Sequence, residues 1–182
     1  KPPLTARGGF SILRCILKSF VKAAEYHLRV IIIYNTEKRC FEYGSLCFEN
    51  QTITKRVLFP DAVIDAAGGY ILPGFIDVHT HGRCGMDIMD ADAKTLSALS
   101  HSYAKSGVTT LFPTIMTAPI EKLKKAISNI RKANTTADFA GIHIEGPYIS
   151  AKKPGCHNIP DIRKPVKDEI FALTESILPM RT

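Results

Sequence analysis

The stretch Gly69-Tyr-Ile-Leu-Pro-Gly-Phe-Ile-Asp-Val78 and the His79-Thr-His81 that follows it decide the fold. The apolar run predicts a strand that ends near Val78. Because side chains alternate along a strand, Asp77, His79 and His81 should project from one face. Two imidazoles on one face can converge on one metal ion, for which neutral His is a common ligand. The alternative is that both histidines simply leave the strand into a glycine-containing loop.

Downstream of Val78, strand-like and helix-like segments alternate, which predicts an α/β fold with a parallel sheet. Each predicted strand is followed by a helix with apolar residues at helical spacing. Residues 69–182 thus hold three strand–helix units: a strand ending at Val78 with a helix at 91–105, a strand at 108–115 with a helix from Pro119, and a strand at 139–145 with a helix at 166–176.

Upstream of residue 69 the pattern changes to short β-rich runs. These runs, at 29–34, 44–48, 52–54 and 62–65, are separated by polar turns and predict a partial β-module over residues 28–68. Residues 1–27 form a basic amphipathic extension, in which Ser11 could cap a helix running to about His27. A transit peptide, a membrane-surface helix, a foreign extension and a native packing helix all fit this segment.

The composition excludes several classes of protein. No apolar run reaches the roughly 18 residues that a membrane-spanning helix needs. The net charge of +7 is concentrated near the N-terminus, where residues 1–29 hold six basic residues against Glu25, while the remainder holds 18 basic against 16 acidic residues. A nearly neutral body does not favour a nucleic-acid partner. Five cysteines without a C-x-x-C spacing argue against a disulfide framework and indicate a reducing compartment.

Two further polar residues, His143 and Glu145, end the third predicted strand. They share one face of Gly141-Ile-His-Ile-Glu-Gly-Pro147, and the carboxylate should lie at the same edge of the sheet as the histidines. A buried carboxylate needs a cation or hydrogen-bond donors beside it. Alone, Glu145 would be interpreted as a helix cap or a salt-bridged residue. Together with His79 and His81, metal ligation is the favoured interpretation.

The loop Lys152-Lys-Pro-Gly-Cys-His-Asn158 follows the third strand and carries more polar groups. Gly155 permits an unusual backbone turn, and His157 and Asn158 offer hydrogen-bond donors to a polar ligand. A solvated surface loop is the alternative. We assign no catalytic role to Cys156, because the electropositive surroundings that a reactive thiolate needs cannot be read from a sequence.

Four motifs occur in a fixed order along the chain: Leu-Pro-Gly-Phe-Ile-Asp-Val-His-Thr-His-Gly at 72–82, Ser-Gly-Val-Thr-Thr-Leu-Phe-Pro-Thr at 106–114, Gly-Ile-His-Ile-Glu-Gly-Pro-Tyr at 141–148 and Lys-Pro-Gly-Cys-His-Asn at 153–158. Together they closely resemble the N-acetylglucosamine-6-phosphate deacetylase family of the amidohydrolase superfamily. The first motif is shared across the superfamily, whereas the third and fourth are the narrower markers. The resemblance covers roughly residues 40–176.

The resemblance implies a partial TIM (β/α)8 barrel of the metal-dependent hydrolase type, preceded by part of a small β-sandwich module. It implies that Glu145 binds a catalytic divalent metal ion, Zn or Fe, and that His79 and His81 bind a second or alternative ion. Cys156 and His157 would lie against a phosphorylated amino sugar. The implied reaction removes the acetyl group from N-acetylglucosamine 6-phosphate in amino-sugar catabolism, giving glucosamine 6-phosphate and acetate.

Expectations about the whole protein also follow from the resemblance. A full barrel takes roughly 250 residues, so we expect this chain to be an incomplete, N-terminal copy whose remaining metal ligands and catalytic aspartate lie downstream. A cytoplasmic homodimer with no membrane or nucleic-acid partner is implied. Lys152, Lys153 and Arg163 could assist an anionic substrate or be solvated surface charges. The alternatives are another amidohydrolase, dihydroorotase-like or deaminase-like, or a non-catalytic remnant of the fold.

Overall fold

A computed structural model of the chain describes residues 26–35, 37–49, 52–54, 62–65 and 69–177. The chain forms two compact units. One comprises the described residues up to Phe75 together with Ala104–Thr109, and the other comprises Ile76–Tyr103 and the described residues from Thr110 onward. The helix predicted from Ser11 lies outside the described residues, except that its last two residues belong to a strand.

The first unit contains a five-stranded sheet. Its strands are β1 (Tyr26–Asn35), β2 (Cys40–Glu49), β3 (Thr52–Thr54), β4 (Ala62–Asp65) and β5 (Tyr70–Ile71). The order is β3-β2-β1-β4, with β5 also pairing with β1. Strands β1 and β2 pair antiparallel, whereas β4 and β5 run parallel to β1.

The turn between β1 and β2 is closed by a side chain. Asn35 Oδ1 accepts hydrogen bonds from the backbone N–H groups of Glu37 and Lys38, both at 3.0 Å. Asn side chains favour turns for this reason.

The prediction that a helix extends to His27 is wrong, because Tyr26 and His27 pair with Phe48 and Cys47 in the sheet. The β-rich runs that follow them are strands, as predicted.

From Phe75 to Ile177 the chain repeats a strand followed by a helix three times, as predicted, and most of this segment belongs to the second unit. The elements of the segment are β6 (Phe75–Thr80), β7 (Gly82–Arg83), β8 (Met86–Asp87), α1 (Ala93–Lys105), β9 (Val108–Met116), α2 (Ile120–Lys132), β10 (Asp138–Phe139), β11 (His143–Glu145), a 3-10 helix (Ile159–Asp161) and α3 (Lys167–Ile177). Strand β9 is central, since β6, β10 and β11 all pair with it. The strands β10 and β11 run parallel to β9. The short strands β7 and β8 form an antiparallel hairpin after β6.

The helices follow from apolar spacing and from their end residues. In α2 the buried side chains recur at helical spacing, with Glu121 in the first turn and Arg131 and Lys132 in the last turn, which suits the helix dipole. Asp92 caps α1 by accepting a hydrogen bond from the N–H of Thr95 at 2.7 Å.

Within the described residues no helix has the length and apolarity that crossing a membrane requires. The core of this unit is formed by Ile88, Leu96, Leu99, Leu111, Ile115, Leu123, Ile127 and Ile130.

The third strand is predicted as one continuous element over 139–145, but the structure divides it into β10 and β11. Phe139 pairs with Leu111 of β9, whereas His143 pairs with Thr114, so β11 carries one extra residue relative to β10. A one-residue offset exchanges the two faces of a strand. Beyond the break, His143 and Glu145 therefore share a face with Thr114 and Met116 of β9, and Ile144 lies on the opposite face.

Candidate metal centre and its neighbouring loop

His79, His81 and Glu145 meet at the ends of strands β6 and β11. His79 is in β6, His81 directly follows that strand, and Glu145 is the last residue of β11. The Nε2 atoms of the two histidines are 3.2 Å apart. Glu145 Oε2 lies 3.2 Å from His79 Nε2 and 3.1 Å from His81 Nε2. The sequence-predicted ligands are thus brought together in space.

The spacing of these three atoms fits a divalent metal ion. Metal bonds of roughly 2.0–2.1 Å in tetrahedral geometry give ligand–ligand separations of roughly 3.3 Å. The three observed separations are all close to that value. Two imidazole nitrogens facing each other beside a carboxylate also form a donor set that Zn and Fe accept. The group His79, His81 and Glu145 could therefore hold one divalent ion.

Glu145 is in the charged state that metal ligation requires. Burial by itself would raise the pKa of its carboxyl group. The neighbouring imidazoles of His79, His157 and His81 act in the opposite direction and leave the pKa below its ordinary value. The side chain of Glu145 keeps 31% of its surface exposed, so solvent can reach the group. At neutral pH the site therefore presents a carboxylate to a cation.

His143 and Thr114 belong to the same cluster, although sequence reasoning assigned neither of them to the site. The ring centroids of His143 and His79 are 4.7 Å apart. The fully buried Thr114 hydroxyl accepts the Thr80 N–H at 3.1 Å, lies 3.3 Å from the Phe112 carbonyl and 3.3 Å from His143 Nδ1. All three contacts are satisfied when His143 donates from Nδ1, which leaves a lone pair on its Nε2. The sequence signal for His143 was its position two residues before Glu145, which places both side chains on the same face of the strand.

His157 reaches the cluster from a loop. We name residues 147–163 the His157 loop. His157 Nε2 lies 3.5 Å from Glu145 Oε1, and its side chain is only 6% exposed. The Nδ1 atoms of His157 and His81 are buried without a hydrogen-bond partner among the described residues. Cys156, which precedes His157, is an exposed free thiol. The structure therefore brings His157 to the carboxylate, and a substrate contact by either residue stays a prediction.

The three basic residues considered for an anionic substrate differ from one another. Lys152 and Lys153 are exposed, which agrees with the alternative of surface charges. Arg163 fits neither interpretation, because its side chain is partly buried and bonded to Glu169 and to the carbonyl groups of Ala118 and Asp161. Four of its five N–H donors are used in this way. Arg163 is therefore a structural residue of this unit.

The chain is similar to known deacetylases in both sequence and structure. The chain is 37% identical over 91 residues to the N-acetylglucosamine-6-phosphate deacetylase of Vibrio furnissii, covering 48% of this chain and 23% of that protein. It is 28% identical over 127 residues to the N-acetylgalactosamine-6-phosphate deacetylase of Escherichia coli O157:H7, covering 65% and 33%. The crystal structure of N-acetylglucosamine-6-phosphate deacetylase from Pasteurella multocida matches with a TM-score of 0.73 and 28% identity, covering 84% of this chain and 42% of that one.

These similarities confirm the predicted fold class, a partial barrel of the metal-dependent hydrolase type. The chain spans less than half the length of the relatives that it matches. Residues 70–178 match the family described as the amidohydrolase family. This region contains the His79, His81 and Glu145 cluster as well as the whole His157 loop. The chain therefore belongs to the amidohydrolase family.

Proposed function

We propose that this chain is part of an N-acetylglucosamine-6-phosphate deacetylase that acts in amino-sugar metabolism. The observation that carries the proposal is the meeting of His79, His81 and Glu145 within hydrogen-bonding distance of one another. The names of the relatives supply the substrate class, a phosphorylated amino sugar. Members of the family use a divalent metal ion, and the cluster has suitable ligands for one.

In the proposed site, His79, His81 and Glu145 would hold the metal ion, with Zn or Fe as the candidates. Imidazole and carboxylate groups suit both metals. A bound divalent ion supplies Lewis-acid activation of water and of an amide carbonyl. The net reaction consumes one water molecule, breaks the amide bond of N-acetylglucosamine 6-phosphate, and yields glucosamine 6-phosphate and acetate.

The remaining residues of the site would orient the reactants. His157 is held 3.5 Å from Glu145 and is nearly buried, so its imidazole can donate a hydrogen bond without being rearranged. We propose that His157, together with Cys156, lies against the sugar. His143 would keep a lone pair on its Nε2 because its Nδ1–H donates a hydrogen bond to the Thr114 hydroxyl. These residues would bind and orient the reactants.

We also propose a cytoplasmic location and a homodimer for the whole protein. The described cysteines, Cys40, Cys47, Cys84 and Cys156, are free thiols, which supports a reducing compartment. The homodimer rests on the family resemblance alone.

The test is acetate release from N-acetylglucosamine 6-phosphate after loading with Zn²⁺ or Fe²⁺, measured on the 182-residue chain and on the full product of its gene. N-acetylgalactosamine 6-phosphate and dihydroorotate serve as competing substrates. We expect N-acetylglucosamine 6-phosphate to be the preferred substrate. The variant Glu145→Gln should abolish turnover, and the control Glu121→Gln, on the exposed face of α2, should retain it. If the full product binds metal but releases no acetate, the proposal is contradicted. That result would support the alternative that the protein is a non-catalytic remnant of the fold.

A further inference from the structure

We propose that Arg163 is a positioning residue, which closes the His157 loop and so holds the imidazole of His157 beside Glu145. Arg163 is six residues away from His157 in sequence and contacts neither His157 nor the cluster through any hydrogen bond that the structure describes. The consequence for substrate binding rests on the proposed function, whereas the closure of the loop does not.

The guanidinium group of Arg163 joins three parts of the unit. Its Nε and Nη2 atoms bond both carboxylate oxygens of Glu169 in α3 at 2.9–3.1 Å. Its Nη1 donates to the carbonyl of Ala118, between β9 and α2, at 3.2 Å, and to the carbonyl of Asp161 at 2.9 Å. A planar fork with several donors can make this set of bonds, whereas the ammonium group of a lysine cannot.

Both ends of the His157 loop are fixed by the same group of residues. The backbone N–H of Arg163 donates to the carbonyl of Pro147 at 3.1 Å, so the loop closes on itself. The hydroxyl of Tyr148, at the start of the loop, donates to Glu169 Oε2 at 2.7 Å. Glu169 thereby ties the first turn of α3 to both ends of the loop. Closure of this kind removes conformational freedom from all the residues between the two ends.

Hydrogen bonds inside the loop connect the closed end to His157. The N–H of His157 donates to the carbonyl of Pro154, and the N–H of Asp161 donates to the carbonyl of Asn158, both at 3.1 Å. The side chain of Asn158 also donates to Asp161 Oδ2 at 2.7 Å. Asp161 in turn offers its carbonyl to Arg163. A short chain of polar contacts therefore runs from Arg163 to the residue next to His157.

The middle of the loop has little apolar packing that could replace these bonds. Between Ser150 and Cys156 every residue except Pro154 is exposed, and residues 158–160 are exposed as well. A segment with few buried apolar contacts opens locally at low free-energy cost. His157 is nevertheless only 6% exposed. Because its exposed neighbours give that ring little packing, we infer that the closure at Arg163 supplies much of the order of the loop.

The experiment compares Arg163→Lys, which keeps the charge but loses the fork, with Lys164→Gln at the neighbouring exposed position. Two readouts follow the loop in the 182-residue chain without substrate. The first is the pair of ring ¹⁵N signals of His157 in long-range NMR spectra, which are assigned by their loss in His157→Gln. The second is the rate of tryptic cleavage after Lys152, normalised to cleavage after Lys105 at the end of α1.

In Arg163→Lys we expect the His157 ring signals to shift or broaden and cleavage after Lys152 to accelerate about tenfold, since charged hydrogen bonds are lost. The Lys164→Gln chain should match the parent in both readouts. Tyr148→Phe, which removes one bond and leaves the fork intact, should accelerate cleavage about threefold. This milder variant carries the test should Arg163→Lys fail to fold.

Unchanged His157 signals and unchanged relative cleavage in both Arg163→Lys and Tyr148→Phe would overturn the proposal, even if the melting temperature fell. In the full product of the gene, the KM for N-acetylglucosamine 6-phosphate should rise about tenfold in Arg163→Lys with a smaller change in kcat. Absence of any deacetylase activity would refute the proposed function, and the NMR and cleavage results would still decide the role of Arg163.

Discussion

The candidate site has two kinds of support, one from strand ends and one from a loop. His79, His81 and Glu145 are placed by the ends of β6 and β11, which pair with the central strand β9. His157 is placed by a loop of mostly exposed residues, which Arg163 closes. Strand support comes from backbone hydrogen bonds and tolerates many sequences. Loop support depends on a few specific side chains far from the chemistry.

The largest effect is expected at the junction between the two supports. Gly146 joins Glu145 to the His157 loop and has a φ of +85°. A Cβ there would overlap the side-chain oxygen of Thr117. Gly146→Ala must therefore strain the backbone and displace Thr117, and we expect the free energy of unfolding to fall by about 3–5 kcal/mol. Urea denaturation measures this change.

Gly155→Ala is the matched control, because Gly155 also has a positive φ but open space around its Cβ position. Its substitution should cost only about 1 kcal/mol. Equal costs at the two positions would mean that the steric junction at Gly146 has no special role.

Removal of a strand-borne ligand should have the next largest effect. His81 Nε2 lies close to both other ligand atoms, so His81→Asn leaves only two of the three groups. We expect the affinity for Zn²⁺ to fall at least about 100-fold, more than the loss of an outer partner causes. Competition with a chromogenic chelator measures the affinity. His101→Asn, at an exposed position of α1, is the control. The same affinity in both variants would show that the cluster is not the metal site.

The strand-borne part of the site could be predicted from the sequence, because alternation along a strand is a local property. His79, His81 and Glu145 were identified from this period and from the family motifs. The role of Thr114 could not be predicted, since its hydroxyl connects Thr80 with His143 across three strands. Arg163 was missed for the same reason. Its partner Ala118 lies 45 residues away in sequence. Its ion pair with Glu169 is closer, but no pattern in the sequence distinguishes a basic residue of an internal ion pair from a surface charge.

The fold could be predicted to a similar extent. The three strand–helix units and the four upstream strands had clear periodicity, whereas the break in the third strand had none. At that break β11 is offset by one residue against β9, and a Cβ at Gly141 would come within 2.9 Å of the Phe112 ring. The end of the predicted N-terminal helix was also wrong, because pairing of Tyr26 and His27 with β2 overrode an amphipathic pattern.

A moderate effect is expected from the hydroxyl that links the strands. Thr114→Val keeps the shape of the side chain but leaves the buried Thr80 N–H without its acceptor. The free energy of unfolding should fall by about 2 kcal/mol, and Zn²⁺ affinity should fall about tenfold because His143 loses its partner. Thr174→Val, at an exposed position of α3, should change neither quantity appreciably. If Thr114→Val lowers stability but leaves metal affinity intact, the network supports the sheet and not the site.

The smallest effect concerns the loop support at alkaline pH. Burial and the hydrogen bond to Glu169 raise the pKa of Tyr148 from 10.0 to about 12. Between these two values the unfolded chain has released the phenolic proton and the folded chain still holds it, so the free energy of unfolding falls as pH rises through this window. Tyr148 should account for a loss of about 1 kcal/mol in the free energy of unfolding between pH 8 and pH 11.

In Tyr148→Phe this part of the loss should be absent. In the control Tyr43→Phe, at a position 82% exposed, the free energy of unfolding should fall by as much as in the parent. Urea denaturation at the two pH values measures the difference, and identical losses in the parent and in Tyr148→Phe would show that the Tyr148 bond does not stabilise the loop.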